Sequence, residues 1–287
     1  MSQKSYRDNK KKLYLVPTPL GNLGDMTIRA IEVLKMVDIV FCEDTRVTKE
    51  LLKHFEITKK LVSCHEYNES NMVEEAKKYL DEGQNIALVT DQGTPIISDP
   101  GYKVVSSLIQ AGYDVVSLPG PTAFVPALTV SGLPPQPFLF YGFLNSKKGL
   151  REKELKNLQN YPYTMIFYEA PHRIEEMLQS LLEIFGNRRI SISREISKIY
   201  EEIYQGTIEE VQEEVKEGIK GEIVVVVEGN QKMVDFSTLT IEEHVNLYME
   251  DGLSSKEAIK KVATERNIPK SIVYNEYHKI RTSGKSQ

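Results

Sequence analysis

The residues best suited to chemistry are concentrated in one acidic loop that follows a short apolar segment. Ile86–Val89 is apolar and partly β-branched, as expected for a buried parallel strand. Asp91, Gly93 and Pro95 come directly after it, and a second turn, Ser-Asp-Pro-Gly, follows at 98–101. Open α/β sheets bind ligands in loops at the carboxyl ends of their strands. The sequence therefore predicts a ligand site here, although the same residues also suit a tight connection.

Two further loops have the same composition and the same place after a predicted strand. The apolar segment at 13–16 is followed by Pro-Thr-Pro-Leu-Gly-Asn-Leu-Gly-Asp at 17–25, and the segment at 115–118 by Pro-Gly-Pro-Thr-Ala at 119–123. Glycine allows a ligand to approach the backbone closely, and proline makes a loop rigid. Three rigid loops at one edge of a sheet indicate a binding pocket rather than three simple turns.

Composition limits the class of protein. The length of 287 residues indicates one large or two medium domains. A hydrophobic content of 40% is enough for a sizeable core. The net charge of −5 is not that of a general nucleic-acid binder, although basic clusters occur at 10–12 and around Gly149. Only two cysteines, Cys42 and Cys64, are present, which excludes a disulfide framework and indicates buried thiols. No apolar signal segment or stretch of about 20 apolar residues occurs, so we expect a cytoplasmic protein with no membrane partner.

The order of predicted elements indicates an α/β fold with two α/β domains and a small C-terminal helical appendage. Alternating strands and helices favour a parallel sheet with crossover helices in a first domain, 13–131. Residues 132–137, Gly-Leu-Pro-Pro-Gln-Pro, break the pattern as a linker would. A second domain with a mixed sheet is expected over 138–230, and a helix-turn-helix-like region over 238–287. Strands are predicted at 13–17, 37–42, 61–64, 86–90, 114–118, 138–143, 165–168, 190–193, 199–204 and 221–228.

Eight motifs, in this order, resemble the SAM-dependent tetrapyrrole methylase superfamily, the class III methyltransferases. They are Pro-Thr-Pro-Leu-Gly-Asn-Leu-Gly-Asp (17–25), Glu-Asp-Thr-Arg (43–46), His-Glu-Tyr-Asn-Glu (65–69), Asp-Gln-Gly-Thr-Pro-Ile-Ile-Ser-Asp-Pro-Gly (91–101), Pro-Gly-Pro-Thr-Ala (119–123), Tyr-Glu-Ala-Pro-His-Arg (168–173), Ser-Arg-Glu-Ile-Ser-Lys (193–198) and Lys-Gly-Glu-Ile-Val (220–224). The resemblance covers 13–230 and is strongest to the branch that methylates ribosomal RNA. It implies S-adenosyl-L-methionine (SAM) in the cleft between the two α/β domains. It also implies methyl transfer to a cytidine ribose 2′-hydroxyl in 16S rRNA of the small ribosomal subunit, by a homodimer.

Two alternatives stay open. One is a member of the same superfamily that acts on a small molecule such as a tetrapyrrole precursor. The other is a non-catalytic ribosome-assembly factor that binds SAM. The motifs at 43–46 and 65–69 and the C-terminal helices favour the rRNA enzyme, because small-molecule members lack them in this form.

The resemblance assigns the cofactor to the three loops and to one segment of the second domain. Gly21 and Gly24 alone do not form a dinucleotide-binding fingerprint. Gly-Thr-Pro at 93–95 stands where the superfamily commonly has Gly-Asp-Pro, so Asp91 or Asp99 would supply the charge. The cofactor-binding candidates are Pro19, Leu20, Asp91, Gly93, Thr94, Pro95, Ser98, Thr122, Ala123, Glu169 and Ala170. No His/Cys cluster has metal-ligand spacing, so no metal is expected.

Methyl transfer to a ribose hydroxyl depends on positioning, worth roughly 7–11 kcal/mol, and on a base, worth about 10²–10⁴-fold. The candidate bases are His65, Glu66, Glu43, Asp44 and Glu195. His65 also suits a loop hydrogen bond, and the carboxylates at 43 and 44 also suit capping of a helix. Arginine suits phosphate oxygens, so the candidate RNA-binding residues are Arg46, Arg173, Arg194 and Lys198. Arg173 also suits a cap on its own helix.

Overall fold

The computed structural model describes residues 3, 5, 10–65, 68–230, 239–250, 252–266 and 268–283. The chain divides into two compact units, Met1–Gly229 and Asn230–Gln287. The first contains two five-stranded sheets, and the described part of the second is helical. None of the described helices combines the length and the apolar character needed to cross a membrane.

The first sheet is parallel throughout, as predicted. Its strands lie in the order β3-β2-β4-β1-β5. The elements are β1 (Lys12–Leu15), α1 (Ile28–Met36), β2 (Ile39–Cys42), α2 (Thr45–His54), β3 (Lys60–Ser63), α3 (Glu69–Asp81), β4 (Ile86–Val89), α4 (Tyr102–Gln110) and β5 (Asp114–Ser117). Helix α1 connects β1 to β2 across β4, whereas α4 connects β4 to β5 across β1. The chain therefore leaves the central pair β1 and β4 in opposite directions, and such a switch point forms a crevice at the carboxyl ends of the strands.

Helices cover both faces of this sheet, which explains why its central strands are apolar without alternation. Ile86 and Leu88 of β4 pack with α3 and α4 in one cluster. Ala87 and Val89 of the same strand pack with α1 and α2 in another. The helices therefore cover the two faces of the sheet, and the loops lie at its carboxyl edge.

The second sheet is mixed, as predicted, with the strand order β6-β7-β10-β8-β9. Strands β6 and β7 are parallel, and the remaining pairs are antiparallel. The elements are α5 (Phe124–Val130), β6 (Phe138–Phe143), α6 (Lys148–Leu158), β7 (Thr164–Glu169), α7 (Ile174–Phe185), β8 (Arg189–Arg194), β9 (Glu202–Thr207), α8 (Ile208–Glu214) and β10 (Ile223–Val227). Helices α6, α7 and α8 cover one face. Ala127 and Leu128 of α5 pack on the other, against Ile166 and Val226.

The structure differs from the sequence-based expectation in two places in this half. Strand β9 begins at Glu202 and not at 199, because residues 195–201 form turns in which Lys198 N–H donates to Glu195 O and Glu201 N–H to Lys198 O. Helix α6 lies where the sequence indicates only a basic cluster around Gly149. Its inward face includes the buried Arg151, an arginine that a hydrophobic pattern does not detect.

The C-terminal unit contains three helices among its described residues. They are α9 (Ile241–Glu250), α10 (Ser255–Glu265) and α11 (Lys270–Ser283). Gly252 has φ +92° between α9 and α10, and Ser254 and Glu257 form a capping box at the start of α10. Val245, Val262 and other apolar residues form a core of the unit's own.

Candidate active site

Three loops are joined at the carboxyl edge of the first sheet. Thr18 N–H donates to Gly93 O at 2.9 Å and Gly93 N–H donates to Thr18 O at 3.0 Å, which ties the loop after β1 to the loop after β4. The Thr94 hydroxyl donates to Pro121 O at 2.9 Å and lies 2.5 Å from the Thr122 hydroxyl, which ties in the loop after β5. The three predicted loops therefore form one hydrogen-bonded wall.

Glycine is required in this wall for both conformation and space. Gly93 has φ +83°, and a Cβ there would lie 3.2 Å from the Leu20 side chain. A Cβ at Gly120 would lie 2.6 Å from Pro17. Any larger residue would strain the backbone or separate the loops.

A cavity of about 500 Å³ lies between this wall and the second sheet. Sites for small molecules commonly enclose roughly 300–1,000 Å³. The cofactor-binding candidates that line the cavity are Leu20, Asp91, Gly93, Thr94, Ser98, Thr122, Ala123, Glu169 and Ala170. Pro19 and Pro95 do not line it.

Other lining residues were not named as cofactor contacts from the sequence. They are Gln92, Ile97, Asp99, Phe143, Tyr168, Pro171, Ile196, Glu222, Ile223 and Val224. Most of these belong to the same eight motifs, and Asp99 is one of the two residues predicted to supply negative charge. Membership of a motif was therefore the available signal for all of them except Phe143.

The wall formed by the first sheet is acidic. Burial, and then the neighbouring Asp91 and Asp99, raise the pKa of Glu43. Burial also raises the pKa of Asp99, with further contributions from Asp91 and Glu222, although a hydrogen bond from Thr90 opposes them. Carboxylates that raise one another's pKa in this way favour a cation or a proton between them.

The wall formed by the second sheet is aromatic and contains one buried carboxylate. The Tyr168 ring lies 5.0 Å from that of Phe140 and 5.6 Å from that of Phe143, and burial is the main cause that raises the pKa of Tyr168 to about 12. The next residue, Glu169, has a fully buried side chain. Its Oε1 accepts from Ala170 N–H at 2.8 Å and from Arg173 Nε at 2.7 Å. Its Oε2 is buried without a hydrogen-bond partner among the described residues.

The candidate bases at the start of α2 have different environments. Asp44 caps the helix by accepting from Arg46 N–H at 2.8 Å, and the Arg46 guanidinium lowers the pKa of Asp44 to about 2. Its own N–H donates to Asp91 Oδ1 at 3.2 Å. Glu43 lies with Oε2 3.5 Å from the Thr90 hydroxyl. Asp44 therefore caps helix α2, as the alternative to a catalytic role predicts. Glu43 does not cap the helix and has a raised pKa.

His65 and Glu195, like Glu43 and Asp44, are not among the residues that line the cavity. His65 follows β3, and its N–H donates to the Asn68 side chain at 2.8 Å. Glu195 Oε1 accepts from Glu222 N–H at 3.0 Å and from Lys198 Nζ at 2.9 Å, and these contacts lower its pKa, the backbone hydrogen bond most. Glu66 lies outside the described residues.

Three of the four candidate RNA-binding residues are held by other parts of the protein. Arg173 Nη2 donates to Leu144 O at 3.1 Å in addition to its bond to Glu169. Arg194 Nε donates to Lys220 O at 3.0 Å, and its guanidinium pairs with Glu202.

Lys198 Nζ lies 2.9 Å from both Glu195 and Glu222. Arg46, by contrast, has a side chain that is 89% exposed. The structure thus places one of the four on the open surface.

The segment at 195–198 also joins the two halves of the first unit. The Ser197 hydroxyl donates to Asp25, in the loop after β1. The Lys198 side chain packs on Gly21, where a Cβ would lie 2.7 Å from its Cε. Glu195 and Ser197 have φ +50° and +68°, so this close fit requires backbone strain at two non-glycine residues. Between them, Ile196 lines the cavity.

A parallel sheet whose loops line one side of the cavity, and a second, mixed sheet on the other side, define a two-lobed α/β unit. A family model, Tetrapyrrole (Corrin/Porphyrin) Methylases, matches residues 12–212. The chain belongs to this family and is a methyltransferase.

Relatives and solved structures agree with this assignment. The chain is 51% identical over 273 residues to ribosomal RNA small subunit methyltransferase I of Bacillus subtilis, covering 93% of this chain and 94% of that one. It is 48% identical to the protein of the same name from Halalkalibacterium halodurans, over 96% and 99% of the two chains. The fold is similar to that of the methyltransferase CobJ, with TM-score 0.59, 18% identity and coverage of 77% and 95%. It is also similar to uroporphyrin-III C-methyltransferase from Thermus thermophilus complexed with S-adenosyl homocysteine, with TM-score 0.56, 20% identity and coverage of 76% and 97%.

Proposed function

We propose that this protein transfers the methyl group of SAM to the ribose 2′-hydroxyl of a cytidine in 16S rRNA of the small ribosomal subunit. The relatives named as small-subunit rRNA methyltransferases, matched over nearly the whole chain, support the substrate. The observation that carries the chemistry is the cavity, which has carboxylates on one wall and aromatic rings on the other. We further propose that the protein acts in the cytoplasm as a homodimer.

The residues that line the cavity fit SAM. The cofactor carries a sulfonium and an ammonium cation, a flat adenine and several hydrogen-bond donors. Asp91 would stabilise the cationic groups, and the aromatic wall around Tyr168 would accommodate the adenine. Glu169 Oε2, buried without a partner among the described residues, would accept a hydrogen bond from one of the donors. When bound, SAM supplies the electrophilic methyl group.

We assign the role of general base to Asp99. Its carboxylate lines the cavity, and its raised pKa makes it a stronger base than an ordinary aspartate. Asp44, whose pKa is about 2, and Glu195, whose pKa is lowered, are weaker bases. Glu43 also has a raised pKa but does not line the cavity, so it is the second candidate for the general base.

Two substitutions separate these assignments. Asp99→Asn removes the base with little change of shape, and we expect kcat to fall roughly 10²–10⁴-fold while SAM still binds. Glu43→Gln should retain most of kcat, because it removes a neighbour and not the base. The opposite result, a large loss for Glu43→Gln and a small one for Asp99→Asn, would transfer the role to Glu43.

The substrate itself is tested with labelled SAM. Small subunits from cells that lack this gene should accept label, and mapping of 2′-O-methyl groups should locate it at one cytidine. Labelling of a tetrapyrrole precursor with none of the subunit would overturn the proposal. SAM binding without transfer to either would indicate an assembly factor instead.

A further inference from the structure

Helix α2 carries a row of exposed basic side chains that the proposed chemistry does not use. Arg46, Lys49 and Lys53 are spaced i, i+3 and i+7, so they lie on one face of the helix, and all three are exposed. Glu50 is the only acidic residue within the helix. The row therefore has a net positive charge on a protein whose formal net charge is −5.

The row begins at the edge of the cavity. Asp44, the residue that caps α2, donates its N–H to Asp91, and Asp91 lines the cavity. Strands β2 and β3 are parallel neighbours, so the helix between them must run back from the carboxyl edge of the sheet. With a rise of about 1.5 Å per residue, the row extends roughly 10 Å away from the cavity between Arg46 and Lys53.

The three side chains differ in how far other residues orient them for binding an anion. The Arg46 guanidinium is oriented by Asp44, with Nη2 2.6 Å from Oδ2 and Nε 3.1 Å from Oδ1, yet most of its surface remains in solvent. The ammonium groups of Lys49 and Lys53 form no ion pair or hydrogen bond with any residue that the structure describes. One fixed fork followed by two mobile ammonium groups suits a chain of phosphates.

Helix α6 provides the comparison. It also exposes lysines, Lys148, Lys153 and Lys156, but it contains two carboxylates where α2 contains one, and Lys148 lies 3.6 Å from Glu152. Its one arginine, Arg151, is buried and bound to Ser180 and Glu176. Local charge therefore favours α2 over α6 as an anion-binding surface.

We propose that Arg46, Lys49 and Lys53 bind successive phosphates of the rRNA strand that delivers its ribose to the cavity. This inference rests on the proposed function and adds a surface to it. Phosphate contacts position a nucleic acid without reading its sequence, which suits a row of flexible cations beside a separate catalytic cavity.

The test compares two double variants with matched charge. Lys49→Ala/Lys53→Ala removes two charges of the row, and Lys153→Ala/Lys156→Ala removes two from α6. The dissociation constant for unmethylated small subunits is measured over a range of salt concentrations, and SAM affinity is measured by calorimetry. Each phosphate contact to a single strand contributes about 0.7 to the salt slope, so the α2 variant should lose about 1.4 of slope and bind roughly tenfold more weakly near 0.15 M salt. The α6 variant should match the wild type, and SAM should bind all three proteins equally.

Two results would overturn the inference about α2 without overturning the proposed function. One is an unchanged salt slope and affinity in the α2 variant while the wild-type protein methylates the subunit normally. The other is an equal loss in the α6 variant, which would indicate a general charge effect. If the wild-type protein does not methylate the subunit at all, the proposed function is wrong, and the inference that this surface binds rRNA is wrong too.

Discussion

The sharpest test of the second-sheet wall is the removal of Arg173. The Glu169 side chain is fully buried, and Arg173, one-fifth exposed, is its cationic partner at 2.5 Å. Removing one member of a buried ion pair leaves an uncompensated charge and typically costs about 3–5 kcal/mol. Arg173→Met should therefore destabilise the first unit by roughly this amount, since no other cation lies on Glu169 among the described residues.

Glu169→Gln provides the control because it removes the charge while keeping the shape. Its side-chain oxygen can still accept from Ala170 N–H and Arg173, so we expect about 1–3 kcal/mol of destabilisation, the cost of a weakened buried hydrogen bond. Its new amide N–H₂ would replace a buried carboxylate oxygen that lacks a partner among the described residues, in a residue that lines the cavity. SAM binding should then weaken roughly 10- to 100-fold, because a hydrogen bond to a charged group contributes about 1.5–3 kcal/mol.

Urea unfolding gives the free energies, and calorimetry gives the SAM affinities. The double variant Glu169→Gln/Arg173→Met should be more stable than Arg173→Met alone, because it contains no uncompensated charge. An Arg173→Met protein of normal stability that binds the small subunit poorly would refute this reasoning. It would return Arg173 to the RNA-binding role that its sequence motif had indicated.

Three further results are expected. Gly93→Val should abolish SAM binding in calorimetry, because residue 93 has φ +83° and a Cβ there would lie 3.2 Å from Leu20; a folded variant with unchanged affinity would remove this loop from the site. The C-terminal unit should lose stability as the pH falls below about 6.5, since burial and then Arg266 lower the pKa of His244, so the folded state binds fewer protons than the unfolded one; protection factors for amide hydrogen exchange in α9 and α10 that do not change with pH would contradict this. Light scattering should give twice the chain mass of 32.7 kDa at micromolar concentration, and a monomer there would disprove the homodimer.

The parallel sheet was predictable because its physical causes are local. Strands β2 and β4 are buried on both faces, so they are apolar without alternation, and each ends abruptly in polar or glycine-containing loops. Helix α6 was missed for an equally physical reason. Arg151 occupies an inward position because Ser180 and Glu176 of α7 bind it, and a partner from another helix cannot be inferred from the spacing within α6.

The same reason explains what could be predicted of the site. Loop residues such as Gly93 and Thr94 are recognisable because the backbone conformation or the local turn requires them. Arg194 and Lys198 are recognisable as cations, but their partners Glu202 and Glu222 come from elsewhere in the second sheet. A sequence motif shows that a charge is present, and only the fold shows whether that charge is already paired.

This pairing bears on how an acidic protein would handle RNA. Carboxylates such as Asp91, Asp99 and Glu222 line the cavity, so it would repel phosphates while attracting the cationic groups of SAM. A nucleotide can then present only its sugar there, and its phosphates must remain outside, where a cationic surface has to hold them. Arg173, Arg194 and Lys198 are paired with carboxylates and have mostly buried side chains. Arg46 is also paired, with Asp44, but its side chain is exposed. If the protein methylates rRNA, the phosphates therefore need exposed cations at the edge of the cavity, which is where Arg46 begins the row on α2.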